Sequence, residues 1–151
     1  MSFISTLPDR LCEWFTDMAE FSGYTFCTTF PSGAKATPLT KPVVVIGMKS
    51  INILDNTVNE TGTLVTDSRI AEEEYLLNIH VPREEGGNTC CLILDKLIDL
   101  ILYATPLKIS NIQSSETKYI RNTDSINLNA TFTITETIDK GMYYPLELPT
   151  Q

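Results

Sequence analysis

The sequence predicts an α+β domain: a mixed, mainly antiparallel sheet with two main helices packed on it. Three observations predict it. Residues 4–18 and 89–103 carry apolar side chains at helical spacing, several other runs alternate with the period of a strand, and the elements come in the order α, β-β-β, α, β-β with short connections. The 151 residues suit a single domain spanning 1–151. A chain of this size buries roughly 68–70% of the surface its unfolded form exposes, enough for a hydrophobic core.

The first helix is marked by Ile4, Leu7, Leu11, Trp14, Phe15 and Met18. Pro8 fits its first turn, where a missing N–H costs nothing, and Asp9 suits the dipole there. The helix is expected to run to about Phe21 and stop at Ser22-Gly23. Tyr24 to Phe30, aromatic and rich in Thr, reads as a strand. Residues 31–41, with two Pro and one Gly, read as an exposed flexible loop. Pro42 to Leu54 is a strand whose continuous apolar start, Val43-Val44-Val45-Ile46, should be buried on both faces. Gly47 within it suggests a bulge or a close backbone approach.

Asp55 to Ser68 is polar and reads as a long loop or a two-stranded excursion, with Thr63-Leu64-Val65 as a short strand. Glu72 to Val81 is a strand in which Tyr75, Leu77, Ile79 and Val81 alternate with Leu76, Asn78 and His80, and Pro82 ends it. The Glu84–Asn88 turn leads to a helix cap at Asn88 or Thr89. The second helix, about Thr89 to Tyr103, has a core stripe of Leu94, Leu97, Ile98, Ile101 and Leu102, while Asp95, Lys96 and Asp99 face out. Leu92, Ile93 and Leu100 widen its apolar arc, which predicts a helix in a groove between the sheet and something else. Leu107 to Glu116 reads as a strand and Ser114 to Asp124 as a polar connection. Ile126, Leu128, Ala130, Phe132, Ile134 and Ile138 then alternate with Asn127, Asn129, Thr131, Thr133, Thr135 and Thr137, the signature of one long strand with one buried face. Residues 139–151 read as an extended tail.

Composition narrows the chemistry. Eleven basic and nineteen acidic side chains give a net charge of −8, which disfavours sequence-independent binding to nucleic acid. No run approaches the roughly 18 apolar residues of a membrane helix, so no membrane partner is expected. The opening residues Met1-Ser2-Phe3-Ile4 lack the basic start of a signal peptide. Cys12, Cys27, Cys90 and Cys91 form no Cys-x-x-Cys pair and read as four buried or half-buried thiols; no metal and no cofactor is expected. His80 is the single histidine and falls opposite in parity to the apolar set, as a half-exposed surface residue would. Glu72-Glu73-Glu74 reads as a solvated sheet edge. No Walker loop, dinucleotide fingerprint or nucleophile elbow is present, and Glu84 and Glu85 would repel a phosphate from the Gly86-Gly87 turn, so no catalytic residue is assigned and no enzyme is expected.

The outward row of the last strand, Asn127, Asn129, Thr131, Thr133, Thr135 and Thr137, is neutral where a solvent-facing sheet would mix Lys and Glu. Glu136 falls on the apolar parity instead. A neutral β-branched face suits either water or another protein surface, and these six residues are the candidate subunit interface. The long segments 31–41 and 55–70 are candidate recognition arms, since loops above about 12–15 residues in compact domains are usually functional or disordered.

The layout resembles the tail terminator and tail-completion proteins of long-tailed phages and phage-tail-like bacteriocins. The matching pieces are the opening helix through Trp14-Phe15, Lys41-Pro42-Val43-Val44-Val45, Leu77-Asn78-Ile79-His80-Val81-Pro82, the Gly86-Gly87-Asn88 lead into a helix, Ile109-Ser110-Asn111-Ile112, and Leu128-Asn129-Ala130-Thr131-Phe132-Thr133-Ile134. Together they cover about Leu7 to Ile138. The resemblance implies a structural virion protein in a bacteriophage or prophage tail, assembled in the bacterial host cytoplasm. It implies a homo-oligomeric ring, usually a hexamer, seated on the tail tube protein, halting polymerisation and offering a surface to the head–tail connector protein. DNA would pass through the lumen without specific binding. A head–tail joining or tube component of the same particle is the alternative, and a small ligand-binding or enzymatic α+β domain a further one.

Overall fold

A computed structural model describes residues 3–30, 38–54, 68–139 and 149, with the side chains of 3–5, 68, 138 and 139 set aside. Helix α1 (Phe3–Thr16) is followed by a 3-10 turn (Ala19–Phe21), then strands β1 (Thr25–Cys27), β2 (Val43–Ile53) and β3 (Ser68–Pro82). A second 3-10 turn (Arg83–Glu85) leads to helix α2 (Gly87–Tyr103), and β4 (Ile109–Ser114), β5 (Lys118–Ile120) and β6 (Ser125–Asp139) complete the order. The expected loop 31–41 and the arm 55–70 with its Thr63–Val65 strand fall largely, and the 139–151 tail almost wholly, outside the described residues.

The strands form one sheet in the order β1-β2-β3-β6-β4, with β5 also pairing β6. Among the described strands only β1 and β2 pair in parallel; the other pairs are antiparallel. This is the mixed, mainly antiparallel sheet the sequence predicts. The period-two alternation of β3 and β6 is decisive: Tyr75, Leu77, Ile79 and Val81 pair with Phe132, Ala130, Leu128 and Ile126 on one face. That face receives both helices, α1 over β1 and β2, α2 over β3 and β6. Leu7, Leu11, Phe15, Leu97 and Ile101 join the sheet residues in one buried cluster. Phe15, Phe21 and Phe26 meet ring to ring at 5.4–5.9 Å, which fixes where the chain turns from α1 into β1.

Several boundaries differ from expectation. Helix α1 starts a turn early, so Pro8 is its sixth residue and removes a hydrogen bond that its own packing must offset. The helix proper ends at Thr16, and only the 3-10 turn reaches Phe21; Gly23, at φ +85°, makes the stop. Only Thr25–Cys27 of the Tyr24–Phe30 run pairs as a strand. Gly47 does not carry the bulge of β2, which falls between Met48 and Ser50, and a side chain at Gly47 would meet open space. Of the Val43–Ile46 run, Val45 is only half-buried. Helix α2 begins at Gly87 behind Gly86 (φ 78°), ahead of the expected Asn88 or Thr89 cap. Its buried stripe is Cys90, Ile93, Leu97 and Ile101, with Leu94, Ile98 and Leu102 half-buried, and Leu92 and Tyr103 lie in solvent, so nothing described encloses its far side. The strand expected over Leu107–Glu116 is shorter, and the polar connection after it contains β5, hidden in the sequence by its three-residue length.

Candidate assembly surface

The face of the sheet opposite the helices is where the predicted interface residues lie. Asn127, Asn129, Thr131, Thr133, Thr135 and Thr137 face that side along β6, opposite His80, Asn78, Leu76, Glu74, Glu72 and Ile70 of β3. Thr131, Thr133 and Thr135 are half-buried and Thr137 is exposed. The face is therefore neutral along β6 and acidic along β3, where Lys49 pairs with Glu74 at 3.2 Å as the described counter-charge. The Glu72–Glu74 run is not the solvated edge it resembles in sequence. Strand β3 is central, and the middle carboxyl, Glu73, is fully buried on the helix side.

One end of this face is closed. Phe30 sets its ring edge-on to His80 at 4.9 Å. Val43, His80 and Asn127 are buried there. The Asn127 amide Nδ2 donates to Asn78 Oδ1 and to the Ile79 carbonyl at 3.1 Å, and lies 3.4 Å from His80 Nε2. Asn127 is thus spent on internal bonds and the Asn129 amide oxygen is buried without a partner, while Thr131, Thr133, Thr135 and Thr137 keep accessible surface. His80 is buried, where the sequence suggested half-exposure, because Phe30 folds over it. Burial holds its imidazole below the ordinary range and so neutral, and Nδ1 has no hydrogen-bond partner. A ring with an asparagine and a phenylalanine as its described partners lacks the orienting carboxylate of a triad base.

The sheet's two outer edges complete the surface. Strand β1 covers only Val43–Val45 of β2, so among the described residues nothing pairs with Ile46–Ile53 on that side. This stretch exposes Met48 (44%), Ile51 (41%) and Ile53 (52%). Composition hid them because Lys49, Ser50 and Asn52 dilute the run. At the opposite edge nothing among the described residues pairs with the outer side of β4, which exposes Ile112. A groove of about 750 Å³ between β4 and α2 has Leu94, Ile98, Ile112 and Leu128 in its lining and Asp95 and Glu116 beside them.

Two buried chemistries lie apart from this surface. Glu73 accepts a hydrogen bond from the Tyr75 hydroxyl at 3.2 Å, and its other oxygen has no partner. Burial, and then the neighbouring Glu136 carboxyl, push it up to about 8; burial also raises Glu136. Of the thiols, Cys12 and Cys90 are buried and held up at about 12 and about 11, Cys27 is half-buried, and Cys91 is exposed rather than covered. Among the described residues no group of three or more His, Cys, Asp or Glu side chains converges as a metal site would need. No protein-family model matches the chain, and no curated relative matches it.

Proposed function

We propose that this chain is a structural protein that closes as a homo-oligomeric ring on the end of a phage-type tail tube, ending tube growth and offering its far side to a head connector. The observation that carries the reading is the sheet face left uncovered by helices, whose β6 row from Asn129 to Thr137 is neutral and β-branched over most of its length. Along that row another protein can settle without desolvating a charge. Two further features support it. The sheet edges left unpaired among the described residues, at β2 and β4, are unlike surfaces on opposite sides of one molecule, the arrangement a heterologous interface needs if its rotation is to close a ring. The net charge of −8 suits a lumen along which DNA slides without adhering. The layout named above supplies the particle, and by that resemblance the ring is a hexamer.

Electron microscopy of tube subunits from the same particle, polymerised with and without this protein, tests it. Tubes should become short and capped at one end when it is added. Unchanged tube lengths overturn the reading, as does growth of this protein by itself into long tubes, which would make it a tube subunit.

A further inference from the structure

We infer that the groove between α2 and β4 receives an amphipathic helix of a partner protein, one that carries Lys or Arg beside its apolar stripe. The groove exists because the sheet is wider than its helix layer. A helix with its side chains is roughly 10–12 Å across and strands stand about 4.8 Å apart, so two helices cover about four strands. Here α1 lies over β1 and β2, and α2 over β3 and β6, which leaves β4, the fifth strand in the order, without a described helix above it. The wedge of about 750 Å³ on that side is the place a third helix would take in the layer.

The walls set the shape of that helix. On α2, Cys91, Leu94, Asp95 and Ile98 line the groove at intervals of three, one and three, so one face of α2 is turned to it over two turns. Ile112 and Leu128 supply apolar surface from the sheet. Leu94 and Ile98 are half-buried and Ile112 is exposed, so the apolar surface is within a partner's reach. The apolar arc of α2 is thus wider than the sheet alone uses, and its remainder faces this groove. Near the start of α2 the two walls meet: a side chain on Gly87 would come within 3.2 Å of the Thr117 hydroxyl.

Charge selects the occupant. Asp95 on the helix wall and Glu116 on the strand wall are exposed, and among the described residues no Lys, Arg or His lines the groove. Neither carboxylate has an ion-pair partner among the described residues, where the pairs are Lys49 with Glu74 and Arg83 with Asp124. A wholly apolar helix would strip water from both carboxylates and put nothing in its place. An anionic occupant, nucleic acid and phospholipid phosphate included, would be repelled. A helix with apolar side chains at i, i+3 or i+4, and i+7 spans about 10 Å, the length of the two turns from Cys91 to Ile98. Basic residues flanking that stripe would reach Asp95 on one side and Glu116 on the other. This contact is independent of ring closure.

The test uses the full-length chain and synthetic helical peptides about four turns long, each with a leucine stripe flanked by lysine, by glutamine or by glutamate. Fluorescence anisotropy of the labelled peptide reads affinity. Alkylation of Cys91 reads location, since this exposed thiol lines the groove while the other three are buried or half-buried. The lysine peptide should bind and slow that alkylation, and the glutamate peptide should do neither. Asp95→Lys with Glu116→Lys should weaken binding about tenfold or more, while the same charge change at Glu13 and Asp17, both exposed at the end of α1, should weaken it less than about threefold. Equal losses in the two double variants would mean attraction to the chain's overall charge and would overturn the inference. So would failure of the lysine peptide to bind, or binding that leaves Cys91 unprotected. A glutamine peptide that binds as tightly would make the site purely apolar, and alkylation that slows with rising protein concentration, peptide absent, would make a second copy the occupant; either result also overturns it.

Discussion

At the height of Leu77 and Ala130 the helix side of the sheet is dry: Leu77, Ile79, Ala130 and Phe132 are buried against Leu11, Phe15, Leu97 and Ile101. Toward Glu73 the same alternation continues, but its inward positions hold Glu73 and Glu136, with Ile51 and Ile53 exposed beside them. The strands do not change register between the two regions of β3 and β6; what differs is the cover. Near the helices an inward position asks for a hydrocarbon. Farther out it accommodates a carboxyl, provided that the carboxyl stays protonated. Periodicity decides the side a residue faces, and the neighbouring layer decides what that side costs.

Breaking the dry region should have the largest effect. Phe132→Ala removes a fully buried ring that stacks on Tyr75 at 5.5 Å, and should cost about 3–5 kcal/mol. Denaturant titration followed by the fluorescence of Trp14, the single tryptophan, reads it.

Glu73→Gln comes next, and its effect depends on pH. The folded-state pKa of about 8 lies above the ordinary 4.5, so the folded chain holds a proton that the unfolded chain releases between those values. Stability from this group is therefore complete below about 4.5, falls as pH rises, and levels off above about 8. The glutamine variant should match the parent near pH 5 and exceed it at pH 9 by on the order of 1–3 kcal/mol. Equal losses of stability with pH in both chains would contradict it.

His80, at the closed end of the open face, should show the opposite trend. Its folded pKa is lowered from 6.5, so its stabilising neutral form is fully present above that value and is lost as pH falls below it. His80→Asn should flatten the acid limb of the stability profile, a smaller change than at Glu73. The smallest effect belongs to the exposed edge: Ile51→Thr should alter monomer stability by no more than about 0.5 kcal/mol.

Much of this was legible beforehand. The β3 and β6 alternations placed Leu77, Ile79, Leu128 and Phe132 correctly, because a half-buried strand has no other way to divide its side chains. The odd parity of Glu136 was already visible, but its companion was not: pairing β3 with β6 is a long-range fact, and without it three consecutive glutamates look like an edge. The same gap explains His80, whose cover comes from Phe30, fifty residues earlier. Bulges and caps were misplaced by one to three residues, since Gly47 and Asn88 carry the right chemistry next to the positions that use it. The open β2 edge was invisible because β1 proved shorter than its aromatic run suggested.

The buried Asn127 amide has a consequence for folding fidelity. If β6 slid along β3 by two residues, every isoleucine, leucine and phenylalanine would still point toward the helices, so hydrophobicity alone would tolerate the mistake. The amide would not: displaced from the Ile79 carbonyl and from Asn78, it would have to find new acceptors away from water. One polar side chain thereby acts as the ratchet tooth that distinguishes the correct alignment from its nearest counterfeit.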